Sequence, residues 1–204
     1  ETKEFVEDKK GFVEFKNVSF RYPDADTEIL EDINFVAKPG ETTALIGSTG
    51  SGKSTLINLI PRYYDVTKGS VKVDGVDVRD MTQKELRDKL GYVPQKGVLF
   101  SGTIDSNIRY GKPEITDAQV KEAAEVAQAT EFIDTKPEKY ESPVSQGGTN
   151  VSGGQKQRLS IARAIAKDPE IFIFDDSFSA LDFKTDSQLR KALKEYTKDA
   201  TTVI

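Results

Sequence analysis

An α/β fold built around a parallel sheet follows from three features of this sequence. Apolar strand-like runs alternate with segments of helical period along most of the chain. One run, Ile171-Phe172-Ile173-Phe174, is apolar at every position, as a strand buried on both faces of a parallel sheet requires. A glycine-rich stretch, Gly47-Ser48-Thr49-Gly50-Ser51-Gly52-Lys53-Ser54-Thr55, joins the apolar run Thr42-Thr43-Ala44-Leu45-Ile46 directly to the helical-looking Leu56-Ile57-Asn58-Leu59-Ile60.

The remaining elements follow in order. Residues 1–10 are charged and aperiodic and read as a linker or a frayed end. Phe12-Val13-Glu14-Phe15, Val18-Ser19-Phe20 and Ile33-Asn34-Phe35-Val36 carry strand patterns, with polar turns at 21–26 and at Lys38-Pro39-Gly40. After a loop over 63–69, Ser70-Val71-Lys72-Val73-Asp74-Gly75-Val76 predicts a hairpin with Asp74-Gly75 at its tip. Residues 84–89 read as helix, and Leu90-Gly91-Tyr92-Val93 as a strand ending at Pro94-Gln95. From 103 to 129 helix formers dominate, with Asp117 as the cap of a run whose Val120, Ala123, Ala124 and Ala127 share a face. Residues 135–150, rich in Pro, Gly and Ser, predict a long loop. Ser152-Gly153-Gly154 opens a helix reaching Ala166, and a last helix covers 185–196. The predicted organisation is one domain. A core over 1–95 and 166–204, with an N-terminal antiparallel β subdomain, is interrupted by a helical subdomain over 96–165.

Composition narrows the class. The 204 residues suffice for one domain with a sizeable core. A net charge of −5 argues against a nucleic-acid partner. The absence of cysteine excludes disulfides and thiolate zinc sites and leaves the redox compartment open. With no histidine, proton transfer falls to carboxylates, lysine, tyrosine or water. No apolar run approaches the length of a membrane span. The chain opens on Glu1 rather than Met and stops in a strand-like Thr201-Thr202-Val203-Ile204, which reads as a piece of something larger.

The glycine-rich stretch fits G-x-x-x-x-G-K-[ST] between a strand and a helix, the context that motif requires. Gly47, Gly50 and Gly52 let the backbone turn and bring its N–H groups up to phosphate oxygens. Lys53 adds a full charge and Ser54 a hydroxyl for Mg²⁺. The stretch therefore predicts nucleoside-triphosphate binding on a P-loop NTPase core. Asp175 ends the fully apolar strand, where a carboxylate sits beside the phosphates and can hold Mg²⁺. Ser152-Gly153-Gly154 at a helix start is a second anion cradle. Two cradles and one nucleotide suggest that the second serves a partner's nucleotide.

With these motifs in this order, the sequence resembles the ABC ATPase family, specifically the nucleotide-binding domain of an exporter. On that resemblance Tyr22 falls at the A-loop position and stacks on adenine, and residues 47–55, Thr49 included, are Walker A. Gln95 is the Q-loop glutamine, sensing Mg²⁺ and γ-phosphate. Val151-Ser152-Gly153-Gly154-Gln155 is the signature, with valine in first place. Asp175 is the Walker B carboxylate, and Ser179-Ala180-Leu181-Asp182 is the D-loop. The run 98–104 looks like exporters rather than importers. The resemblance implies ATP and Mg²⁺ as ligands, and a head-to-tail pairing with a second such domain. It also implies attachment to a transmembrane domain at the cytoplasmic face of a membrane.

One residue departs from the family pattern. After Walker B the family places glutamate as general base; here it is Asp176, about 1 Å shorter in reach, a displacement that can cost about 100-fold in rate. Two readings stand. Backbone adjustment lets Asp176 serve as base, or the site holds ATP and hydrolyses it slowly, as in one half of a heterodimeric exporter. An importer ATPase remains an alternative, and so does an essentially non-hydrolysing ATP-binding half. Chromosome-maintenance relatives would place a long insertion where only about 56 residues separate Gln95 from Ser152.

Overall fold

The computed structural model describes residues 3–48 and 50–204. The chain forms two compact units: residues 1–90, 170–175 and 198–204, and residues 91–169 and 176–197.

The first unit opens with an antiparallel sheet. Strand β1 (Val13–Phe20) lies between β2 (Leu30–Ala37) and, later in the chain, β4 (Lys68–Val73), which continues to β5 (Val76–Asp77). Phe15 pairs with Phe35, and their rings stack at 4.6 Å. The two strand patterns predicted over 12–20 form one strand, broken in register around Asn17, which sits at φ 48°. The hairpin falls where expected. Asp74 (φ 55°) and Gly75 (φ 76°) are both left-handed, the conformation a two-residue hairpin turn demands.

Strand β3 is shorter than the five-residue run predicted. Only Thr42–Thr43 are regular strand, although the Leu45 N–H still donates to the Ile204 carbonyl (2.8 Å). The glycine-rich loop delivers the chain to α1 (Lys53–Leu59), and α2 (Gln83–Asp88) follows the hairpin, its Thr82–Glu85 capping box fixing the start. At Leu90 begins β6 (Leu90–Val93).

Late in the chain, β9 (Ile171–Phe174) and β10 (Thr201–Val203) return to the first unit and build its parallel sheet in the order β3-β10-β9. All four residues of β9 are buried, so the fully apolar run does mark a strand covered on both faces. The Ile171 N–H donates to the Lys89 carbonyl (3.1 Å), and the Thr201 N–H to the Glu170 carbonyl (3.0 Å).

The second unit is mainly helical. It holds the two-stranded β7 (Gly102–Thr103) and β8 (Pro143–Val144), with α3 (Ile104–Ile108), α4 (Asp117–Val126), α5 (Thr130–Thr135), α6 (Gly153–Ala166) and α7 (Phe183–Tyr196). Helix α6 is its centre: Leu159, Ile161, Ala162 and Ile165 are fully buried where α3 and α4 pack on it. The cap of α4 is Thr116, not Asp117. The threonine hydroxyl accepts from the Gln119 N–H and the Gln119 side chain reaches back, a reciprocal pair that Asp117 could not make one residue later. Residues 135–150 are less irregular than predicted, holding β8 and two 3₁₀ turns.

The charged lead-in is also better ordered than a frayed end. The Val6 N–H donates to the Asp74 carbonyl (3.2 Å), and the Lys89 ammonium lies 4.1 Å from the centre of the Phe5 ring. Beneath it the buried Asp74 carboxylate accepts from the Gly11 N–H (2.7 Å) and pairs with Lys89 (2.8 Å). Lys89 reaches Glu170 at 3.7 Å. Burial, then the hydrogen bond to Asp74, raise the Glu170 carboxyl above the usual glutamate range; Lys89 and Lys10 oppose this. A raised folded pKa means that the stabilisation is complete below the unfolded value and is lost as pH rises through the folded one. The contribution of Glu170 to stability is therefore expected to fall as pH climbs from about 4.3 through the raised value. Chemical denaturation across this range should show that fall shrinking in Glu170→Gln.

Candidate functional site

In the first unit, the glycine-rich loop and α1 make a half-cup. Gly52, at φ 94°, turns the chain into the helix, and a Cβ there would stand 3.0 Å from the Leu30 side chain. At Gly47 a Cβ would fall 2.4 Å from the Ser51 hydroxyl, so any larger residue would force that side chain to shift. The Ser51 N–H donates to the Ser48 carbonyl (3.0 Å), and Gly50 is left-handed at φ 81°. Thr49, predicted as part of this loop, lies outside the described residues. Among the described residues no side chain caps α1, which leaves its first-turn N–H groups for an acceptor outside the helix. A cavity of about 230 Å³ is lined here by Ala44, Leu45, Ile46, Ser51, Gly52, Lys53 and Leu56.

Four of the predicted site residues meet in two pairs in this unit. The Ser54 hydroxyl donates to the Asp175 carboxylate at 3.0 Å, across 121 positions of sequence. A hydroxyl and a carboxylate converging beside a phosphate-type loop are the hard oxygen donors that suit Mg²⁺. The Tyr22 and Thr55 hydroxyls are 2.7 Å apart. Tyr22 is further held by edge contacts to Phe20 (4.9 Å) and Tyr64 (5.3 Å).

In the second unit, the Gln95 amide donates to the Asp176 carboxylate at 3.3 Å. Asp176 sits at φ 46°, a region that aspartate tolerates far better than most residues. The Ser179 hydroxyl donates to the Asp176 carbonyl (3.2 Å). Asp182 caps α7, accepting from the Thr185 N–H (2.8 Å) and hydroxyl (3.0 Å). Those bonds hold its carboxyl below the usual range.

The stretch 152–155 begins α6 as a capping box. The Gln155 N–H donates to the Ser152 hydroxyl oxygen (3.1 Å), and the Ser152 N–H to the Gln155 side chain (3.2 Å). Both residues therefore have a purely local duty, yet the serine O–H proton is not consumed by it. The two glycines differ. A Cβ at Gly154 would touch the Ala180 carbonyl at 3.4 Å, whereas at Gly153 it would meet nothing within 4 Å. Gly153 has no positive φ either, so nothing in its own chain requires glycine.

Sequence reading missed two residues that grip the loop carrying Gln95. The Ser177 hydroxyl, fully buried, donates to the Val93 carbonyl (2.6 Å), and the Gln157 amide to the Pro94 carbonyl (3.0 Å). Gln157 could have been noticed as a polar residue four positions before Ile161 on the buried stripe of α6.

A glycine-rich turn between a parallel strand and a helix, with a strand-end carboxylate on the helix serine, defines a P-loop protein. The family model described as ABC transporter matches residues 30–179, and the chain belongs to that family. It is 49% identical over 197 residues to an uncharacterized ABC transporter ATP-binding protein of Mycobacterium bovis, covering 95% of this chain and 34% of that one. It is 47% identical to a Staphylococcus aureus protein named for multidrug export with ATP-binding and permease parts, covering 98% and 34%. Among solved structures, a bacterial Atm1-family ABC exporter with ATP bound superposes with a TM-score of 0.91 at 39% identity, covering 99% of this chain and 35% of that one. The chain thus spans about a third of the length of these relatives.

Because Gly153 has an open Cβ position in the first turn of α6, Gly153→Ala should raise folding stability by about 0.5 kcal/mol. Thermal unfolding of the variant beside wild type measures this.

Proposed function

We propose that this chain is the ATP-binding and hydrolysing domain of an ABC exporter, working at the cytoplasmic face of a membrane. Among the described residues no helix is long and apolar enough to cross a membrane, so the translocation path belongs to other segments or chains. The observation that carries the reading is the Ser54–Asp175 pair beside an uncapped helix start, within a chain of this family. Together these supply what a bound triphosphate needs: N–H donors, the Lys53 charge and an oxygen site for its cation. Mg²⁺ bound by Ser54 and Asp175 would neutralise charge on the β- and γ-phosphates; Gln95 is assigned to sensing it. Tyr22 is assigned to the adenine ring, the loop 47–55 to the phosphates, and Asp176 to the attacking water.

The signature Ser152-Gly153-Gly154-Gln155, with Ser179 and Asp182 of the D-loop, is assigned to the nucleotide of a second ABC domain in a head-to-tail dimer. Gly153 supports this, since its missing Cβ leaves room for something its own chain does not provide. A cap that keeps its hydroxyl proton free can hold the helix and donate to a phosphate at once. ATP closes such a dimer, hydrolysis reopens it, and the motion drives the transmembrane partner.

Hydrolysis at this chain's own P-loop is assigned a slow rate. Asp176 is short for a base, and its carboxylate also faces the Gln95 amide at 3.3 Å. That weakness beside a nearly intact signature fits one half of a heterodimeric exporter, in which this chain completes the partner's working site.

Asp176→Glu is expected to raise steady-state turnover of the assembled protein, by up to about 100-fold at this site. An unchanged rate would sink the short-base argument. Lys53→Ala should weaken binding of Mg²⁺·ATP by at least about tenfold in a calorimetric titration, since the β- and γ-phosphates lose their one full side-chain charge. Wild-type affinity in that variant would count against the P-loop assignment itself.

A further inference from the structure

Gln157 is 1% exposed and sits on the apolar stripe of α6 with Ile161 and Ile165, both fully buried. Packing alone would accept an aliphatic side chain there. A buried amide must instead be justified by its hydrogen bonds, and this one donates to the Pro94 carbonyl at 3.0 Å. Pro94 directly precedes Gln95, the residue whose amide meets Asp176.

Three further contacts lie on the same short loop. The Ser177 hydroxyl holds the carbonyl of Val93, one residue earlier. At Gly97 a Cβ would stand 2.8 Å from the Lys156 carbonyl and 2.7 Å from the Ser160 hydroxyl, so the loop backbone lies directly against α6. Among the described residues the buried Ser160 hydroxyl has no hydrogen-bond partner, so it adds closeness here and no bond. Loop residues 93–97 are therefore gripped from one side by the segment following Asp176 and from the other by the helix that begins at the signature.

We propose that Gln157 is a positioning residue for ATP hydrolysis. It fixes the Pro94 carbonyl so that Gln95 stays registered on Asp176, and it makes the loop move with α6 as one body. A displacement of the signature end of α6 then reaches Gln95 through one side chain. The inference rests on the ATPase reading above.

The test uses the intact protein assembled with its partner, with variants Gln157→Leu and Gln157→Glu. Leucine fills the space but leaves the Pro94 carbonyl without its donor. The expected result for Gln157→Leu is ATP affinity within about twofold of wild type, turnover lowered by about tenfold, and faster amide hydrogen exchange at residues 95–97. A buried glutamate donates to a carbonyl only when protonated. The turnover of Gln157→Glu relative to wild type should therefore fall as pH rises, a signature that loss of packing alone would not produce. Wild-type turnover and exchange in Gln157→Leu would overturn the proposal, and so would a pH-independent ratio for Gln157→Glu, including where the leucine variant fails to fold. Absence of ATP turnover in the wild-type assembly would overturn the ATPase reading and this inference with it.

Discussion

The first unit depends on one four-residue strand being buried on both faces. Strand β9 has no polar side chain to satisfy, so its backbone bonds and apolar contacts decide where the chain can go. Its leading edge is fixed by Lys89 and Glu170, and its far end releases Asp175 beside Ser54. A boundary between the units falls between Asp175 and Asp176, so adjacent carboxylates belong to different units of the chain. Asp176 itself is left-handed, at φ 46°. A strand slipped forward by one residue would bring Phe174 rather than a carboxylate to the helix serine.

Much of this was legible because local chemistry and fold agree. The Gly47–Thr55 stretch announces its turn and helix start with residues that have few other uses, and the all-apolar β9 can hardly be read as an exposed strand. Legibility failed where a side chain's partner is distant or where two neighbours compete for one duty. Thr116 and Asp117 both suit a helix cap, and only the backbone geometry chose between them. Asp74 reads as a hairpin residue and is one, yet its carboxylate also anchors Gly11 and Lys89. That second role needs the strand order before it can be seen. Gln157 and Ser177 look like ordinary surface polars until the burial of α6 and of the segment after Asp176 is known.

A recurring economy links fold and site. Tyr22 and Thr55 bond each other, Ser152 and Gln155 cap a helix, and Asp182 starts another. Each of these side chains is held in place by a local interaction that leaves part of its bonding capacity unused. Such residues are already ordered when a ligand or partner arrives, which lowers the entropy that binding must offset.

Gly153 is the exception, because its local structure gains nothing from it. Folding stability alone favours alanine at that position, so the glycine is kept against the interest of the isolated chain. On the proposed dimer reading, the missing Cβ is the imprint of a surface outside this chain. On that same reading, a descendant that lost the partner would be free to drift here well before the buried strand that carries Asp175.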